Sequence, residues 1–138
     1  MDSVLITGCS AGGLGSGIAL ALYSLPLSHL LDSPICVSLT PESNQAKNIH
    51  VFATARKLSS MQHLADLPNV TLLELDVTSK SSIANAVQIV TEKEEGESRL
   101  KYLVNNAGMG VVGPILDGDE VEERKVWEIN YWFVISIK

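Results

Sequence analysis

The chain has 138 residues, 46% of them hydrophobic, which suits one packed domain and excludes a disordered tail. Its 16 acidic residues outnumber its 10 basic ones, leaving a formal net charge of -6, so no clustered cationic surface is expected and nucleic acid is excluded as a partner. Cys9 and Cys36 lie far apart without metal-ligand spacing, which argues against a disulfide framework or a metal site and for a reducing compartment.

The first predicted strand, Ser3 to Ile6, begins almost at once, without the basic flank and apolar stretch of a signal peptide. A helix over Leu14 to Tyr23 follows. The longest apolar tract, Ile18 to Leu31, is interrupted by Pro26 and His29 and falls short of the roughly 20 residues of a membrane span, so none is expected. Leu25 to Asn48, rich in Ser and Pro, breaks the rhythm and reads as an insertion. Within it Ile35, Val37 and Leu39 alternate, so Ile35 to Thr40 is an alternative second strand; His50 to Thr54 is preferred because a better continuation follows it.

Beyond it come a short helix over Leu58 to Leu64, a strand over Val70 to Leu75, a helix over Ser79 to Glu94 and a strand over Leu100 to Val104. A last helix is expected to begin near Asp117, where Asp117, Asp119, Glu120, Glu122 and Glu123 suit the positive end of its macrodipole. Trp127, Tyr131 and Trp132, at i, i+4 and i+5, are expected to mark its buried face. Short aliphatic runs alternating with amphipathic stretches predict an α/β fold: one Rossmann-type, doubly wound domain over 1–138 with a parallel sheet that stops after about four strands.

A strand ending at Ile6, then TGCSAGGLG, then an apolar helix, offers what a diphosphate requires: backbone amides that can approach closely, and a helix N-terminus facing the anion. Gly8 permits the turn, Gly12 or Gly13 the close approach, and Gly15 the packing of helix on strand. Ser10 can add a hydroxyl donor, while Cys9 reads as a small half-buried thiol without a role.

Past the second strand, Arg56 and Lys57 stand where such folds meet the adenosine ribose. A guanidinium there accommodates a 2'-phosphate, an acid binds the free hydroxyl, and no acid follows Val51 to Ala55. NADP is therefore favoured over NAD; Asp32, at the textual distance for an NAD-type acid, sits in the insertion and is read as coincidence. Asp76 can accept from an adenine amino group beside Val77, or serve as a turn or capping residue before Thr78 and Ser79. NNAG, Asn105 to Gly108, ends a strand at its carboxyl edge, where its amides can line a cofactor or tie strands together. His29, His50 and His63 show no partner pattern and are read as structural.

In order, TGCSAGGLG, ATARK, LDVT, NNAG and WEIN resemble the short-chain dehydrogenase/reductase family over nearly the whole chain outside the insertion. Within it, HVFATAR, LPNVTLLELDVTS and YLVNNAG are similar to the fungal NADPH-dependent 1-acyldihydroxyacetone phosphate reductase group. The resemblance implies that Gly8, Ser10, Gly13, Leu14 and Gly15 border the diphosphate, Arg56 the 2'-phosphate, Asp76 and Val77 the adenine, and Asn106, Ala107 and Gly108 the nearby ribose. It implies that Asn130 supports a water in a proton relay, that a small carbonyl or alcohol is the substrate, and that the protein is cytoplasmic. Homo-oligomers and peripheral association with endoplasmic reticulum or lipid droplets are compatible with it.

Three features depart from the family pattern. The glycine motif has one extra residue, the insertion is long, and after Asn130 the family's catalytic Ser and Tyr-x-x-x-Lys do not follow; none of Tyr23, Tyr102 or Tyr131 has Lys four residues on. The expectation is cofactor binding without efficient turnover by a truncated reductase, with an apolar sheet edge that favours aggregation. The alternative is a non-catalytic dinucleotide-binding module.

Overall fold

Strand β1, Asp2–Thr7, is buried from Ser3 to Thr7 on both of its faces, so it must lie inside a sheet covered on two sides. The computed structural model describes residues 2–24, 49–93 and 100–136. The expected insertion, with Asp32, Cys36 and the alternative strand Ile35 to Thr40, lies outside the described residues, as does most of the charged run before Leu100.

β1 runs parallel to β2, Ile49–Ala55, on one side and to β4, Leu100–Val104, on the other, while β3, Val70–Glu74, pairs with β2. The sheet order is β3-β2-β1-β4. The crossover therefore reverses direction between β1 and β4, the point where open α/β sheets leave a crevice beyond their carboxyl ends.

Alternation along the strands sends neighbouring residues to opposite faces. Val4 and Ile6 of β1 and Val51 and Ala53 of β2 form one core with Ala19 of helix α1, Leu14–Ser24, and with Met61 and Leu64. Leu5 and Phe52 point the other way and meet Leu73 and Val90, the latter on α2, Lys80–Lys93. Helices thus cover both faces, as a doubly wound fold requires. Full burial of a side chain such as Phe52 contributes roughly 1.5–3 kcal/mol.

The segment Leu58–Leu64 winds as a 3-10 helix. At three residues per turn, positions three apart share a face, so Met61 and Leu64 are both fully buried while Ser60 and His63 face α1 and the loop before it. Asn69, with φ of 63°, takes the left-handed conformation that Asn tolerates and starts β3.

The last helix starts later than the acidic run suggests. Ile115–Asp117 is a separate 3-10 turn, and α3, Glu120–Trp127, begins after Asp119, whose carboxylate caps it by accepting from the Val121 and Glu122 amides. A π-helical turn, Glu128–Trp132, and a short α4, Phe133–Ser136, complete it.

Trp127, Tyr131 and Trp132 do share a face, but it is not buried: they are 64%, 47% and 51% exposed and pack edge-on against one another. Phe133, 4% exposed, is the buried residue of this stretch. Among the described residues no helix is long and apolar enough to cross a membrane.

His50 is structural, as expected: its Nε2 lies 2.9 Å from the Thr71 hydroxyl, and its ring stacks at a tilt on Phe52. Burial, with a smaller push from Lys93, holds its pKa below the ordinary 6.5. Below about pH 6.5 the unfolded chain takes up a proton that the folded chain resists, so stability is expected to rise with pH through that window and to be lost as pH falls. Urea unfolding of the wild type and His50→Gln across it checks this; an unchanged slope in the variant would overturn the assignment.

Candidate functional site

The glycines of the motif serve different ends where β1 turns into α1. Gly8 adopts φ of +75°, and a Cβ there would fall 2.9 Å from Ala107 Cα, so glycine is required both for the turn and for the approach of the chain leaving β4. A Cβ on Gly15 would meet the Gly8 carbonyl oxygen at 2.6 Å. Gly15 is buried and its absent side chain makes room for the Gly8 carbonyl and the Asn106 amide rather than for the strand at large. Gly12 also has a left-handed φ of +76° but stands in open space, whereas Gly13 borders the cleft described next.

An open cleft of about 1260 Å³ lies beyond the carboxyl ends of the strands. Gly8, Ser10, Gly13 and Leu14 line it from the first loop, Arg56 from the end of β2, Asp76 and Val77 from the end of β3, and Asn106, Ala107 and Gly108 from the end of β4. Asn130 lines it from the π-helical turn. Of the residues that the family resemblance assigns to the cofactor or the relay, Gly15 alone is not on its wall; it lies behind it, against the Gly8 carbonyl.

The loop after β4 is fastened to β1 through Thr7. Its buried hydroxyl accepts from the Asn106 amide at 2.9 Å and the Ala107 amide at 2.8 Å, and donates to the Val104 carbonyl at 3.3 Å. The Asn106 side chain donates to the Thr7 and Gly8 carbonyls at 2.8 and 3.2 Å. The tie between strands is thus made by Asn106, and its side-chain nitrogen is occupied by the first loop.

Asp76 accepts from both the hydroxyl and the amide of Thr78, at 2.7 and 2.9 Å, and these bonds hold its carboxyl below the usual carboxylate range, with a smaller contribution from Arg56. The turn role weighed for Asp76 is therefore present on the cleft wall; the cap of α2 falls to Ser79, which accepts from the Ser82 amide at 3.3 Å.

The Asn130 side chain is engaged by the loop after β4. Its Oδ1 accepts from the Met109 amide at 3.0 Å and its Nδ2 donates to the Met109 carbonyl at 2.7 Å, so the amide group clasps one peptide of the β4 loop. The clasp brings Asn130 close to Gly108, where a Cβ would lie 3.1 Å from Oδ1. Cys9 is fully buried rather than half-buried; its thiol donates to the Ile6 carbonyl at 3.4 Å, and burial pushes its pKa up, consistent with a structural role.

Sequence reasoning did not place on the cleft Met109, which follows the NNAG motif, or the wall formed by Glu122 and Lys125 of α3 with Glu128 and Ile129 of the π-helical turn. Glu122, Lys125 and Ile129 follow one another at spacings of three and four, the interval that would have put them on one helical face. Glu122 pairs with Lys125 at 2.5 Å on the exposed rim and raises its pKa. The titratable residues on the wall are thus Arg56, Asp76, Glu122, Lys125 and Glu128. The arrangement combines a glycine-lined backbone at a helix start with a cation at the end of β2, which suits a phosphorylated ligand.

Comparison with known proteins agrees with this geometry. Residues 40–137 match the family model described as short chain dehydrogenase. A short-chain dehydrogenase from Penicillium ochrochloron is 42% identical over 130 residues, covering 94% of this chain and 39% of its own length. The NADPH-dependent 1-acyldihydroxyacetone phosphate reductase of Schizosaccharomyces pombe is 33% identical, covering 97% of this chain and 37% of its own. The chain therefore spans about two fifths of the length of these relatives. The crystal structure of NADPH-bound carbonyl reductase from chicken fatty liver superposes with a TM-score of 0.74 at 28% identity, over 96% of this chain and 47% of that one.

Proposed function

The chain belongs to the short-chain dehydrogenase family, and on that premise we propose that it forms the NADP(H)-binding part of a reductase acting on a small carbonyl or alcohol. The observation that carries the reading is the single cleft onto which the glycine loop, Arg56, Asp76 and the NNAG loop all open. Gly8, Gly13, Leu14 and Ser10 would hold the diphosphate, supported from behind by Gly15. Arg56 would take the 2'-phosphate, Asp76 and Val77 would border the adenine, and Asn106, Ala107 and Gly108 the ribose.

The fit rests on the chain's own shape: side chains are missing where the loop must be approached, and a guanidinium stands at the end of β2 with no acid after Val51 to Ala55. NADPH dependence in the S. pombe relative and bound NADPH in the chicken enzyme support the choice of NADP over NAD. The cofactor, when bound, supplies or accepts hydride. These residues orient it, and Asn130 fixes the Met109 peptide at the inner end of the cleft.

The role assigned to these residues is to bind and orient the cofactor. Titration of the purified chain with NADPH, followed by cofactor fluorescence, is expected to saturate. Absence of saturable binding by a folded sample overturns the reading.

A further inference from the structure

We infer that Ser60 is a positioning residue for the cofactor: it aims the Ser10 hydroxyl of the glycine loop and joins that loop to the turn carrying Arg56. The inference rests on the NADP(H) reading above. Ser60 lies outside every motif in the sequence, yet it bonds both the glycine loop and the turn that follows Arg56. Its amide and its hydroxyl both donate to the Lys57 carbonyl, at 3.1 and 2.7 Å, closing the turn directly after Arg56. Its carbonyl accepts from the Ala11 amide at 2.9 Å, and its hydroxyl oxygen lies 3.2 Å from that of Ser10.

The direction of this last bond follows from counting protons. A hydroxyl has one proton to give. A carbonyl can only accept, so the Ser60 proton goes to Lys57 and the Ser10 proton must point to Ser60. Ser10 is thereby held in one rotamer at the edge of the cleft. An arriving phosphate oxygen takes the Ser10 proton by rotation of the O–H bond, and the Ser60 hydroxyl turns from the Lys57 carbonyl, which keeps the Ser60 amide, to donate to Ser10, so the serine–serine bond persists with no heavy atom moved.

The bracket is rigid because the 3-10 helix behind it is anchored by Met61 and Leu64, both fully buried. A second contact, 2.6 Å between Ser16 Oγ and His63 Nε2, fastens the same segment to the first turns of α1. The phosphate loop and the Arg56 turn are therefore parts of one braced unit.

The test is a double-mutant cycle read by NADPH fluorescence titration, with a melting temperature for each protein. Ser60→Ala keeps the backbone bond to Ala11 and loses only the hydroxyl; it is expected to weaken NADPH binding about threefold to tenfold, the range of one net hydrogen bond. Ser60→Thr, which keeps the hydroxyl, is expected to bind like the wild type. In a Ser10→Ala background, Ser60→Ala is expected to add almost nothing.

Unchanged affinity in Ser60→Ala overturns the inference, as does a Ser60→Thr variant as weak as Ser60→Ala. A Ser60→Ala loss that persists in full without the Ser10 hydroxyl also overturns it, since that marks general loosening. If the wild type binds no NADPH, the cofactor reading falls and takes this inference with it; if the wild type binds and Ser60→Ala binds equally well, only this inference falls.

Discussion

Replacing Arg56 with Ala is expected to weaken NADPH binding roughly 10- to 100-fold while leaving NADH affinity nearly unchanged, because each hydrogen bond from a charged donor contributes about 1.5–3 kcal/mol and each 1.4 kcal/mol is a factor of ten. Arg56 is exposed at the end of β2 and lines the cleft, so removing it should not disturb the core. Lys57, its neighbour, does not line the cleft among the described residues and should not compensate. Arg56→Lys is expected to recover only part of the loss, since an ammonium cannot reproduce the planar fork of a guanidinium. Parallel titrations with NADPH and NADH decide the matter, and a variant that loses affinity for both equally would remove Arg56 from 2'-phosphate recognition.

Thr7→Val is expected to destabilise the fold by about 2–4 kcal/mol although the two side chains nearly match in shape. The Thr7 hydroxyl uses its full capacity, accepting two hydrogen bonds and donating one. Valine leaves the Asn106 and Ala107 amides without their acceptor, and each unsatisfied donor costs about 1–3 kcal/mol. That is a large share of the 5–15 kcal/mol typical of a domain. Thr7→Ser keeps the oxygen and is expected to retain most of the stability. Urea unfolding of the three proteins measures this; a Thr7→Val loss below about 0.5 kcal/mol would mean that water replaces the hydroxyl at both amides.

The sheet was legible because short aliphatic runs alternate with helical stretches along the chain. Each predicted strand appears within a residue of its expected ends; β1 and β2, buried on both faces, leave the clearest apolar runs. The cleft was legible because each motif sits at the carboxyl end of a strand, and a parallel sheet brings all such ends to one edge. What escaped depends on contacts between distant segments. The acidic run before α3 could not reveal which carboxylate is the cap, because Asp117 and Asp119 differ only in the backbone around them. The spacing of Trp127, Tyr131 and Trp132 correctly puts them on one face, but periodicity does not say what that face meets. Asn130 was recognised by its motif, yet its grip on Met109 depends on a loop 21 residues earlier. Ser60 carries no local signal, since serine in a turn is ordinary and its value lies in reaching Ser10 across 50 positions.

The Thr7 hydroxyl and the Asn106 amide that donates to it are 99 residues apart in the chain, and this fixes an order of events during synthesis. The glycine loop and α1 emerge early and can close locally, whereas one wall of the cleft does not yet exist. Closing so long a loop carries an entropic cost before any contact offsets it, and nonlocal parallel pairing is slow. Until β4 docks, Gly8 has no chain packed against it and Thr7 has no amides to receive. The nascent protein therefore acquires the two ends of the cleft one after the other, and a ligand that spans them can engage fully only after β4 is in place.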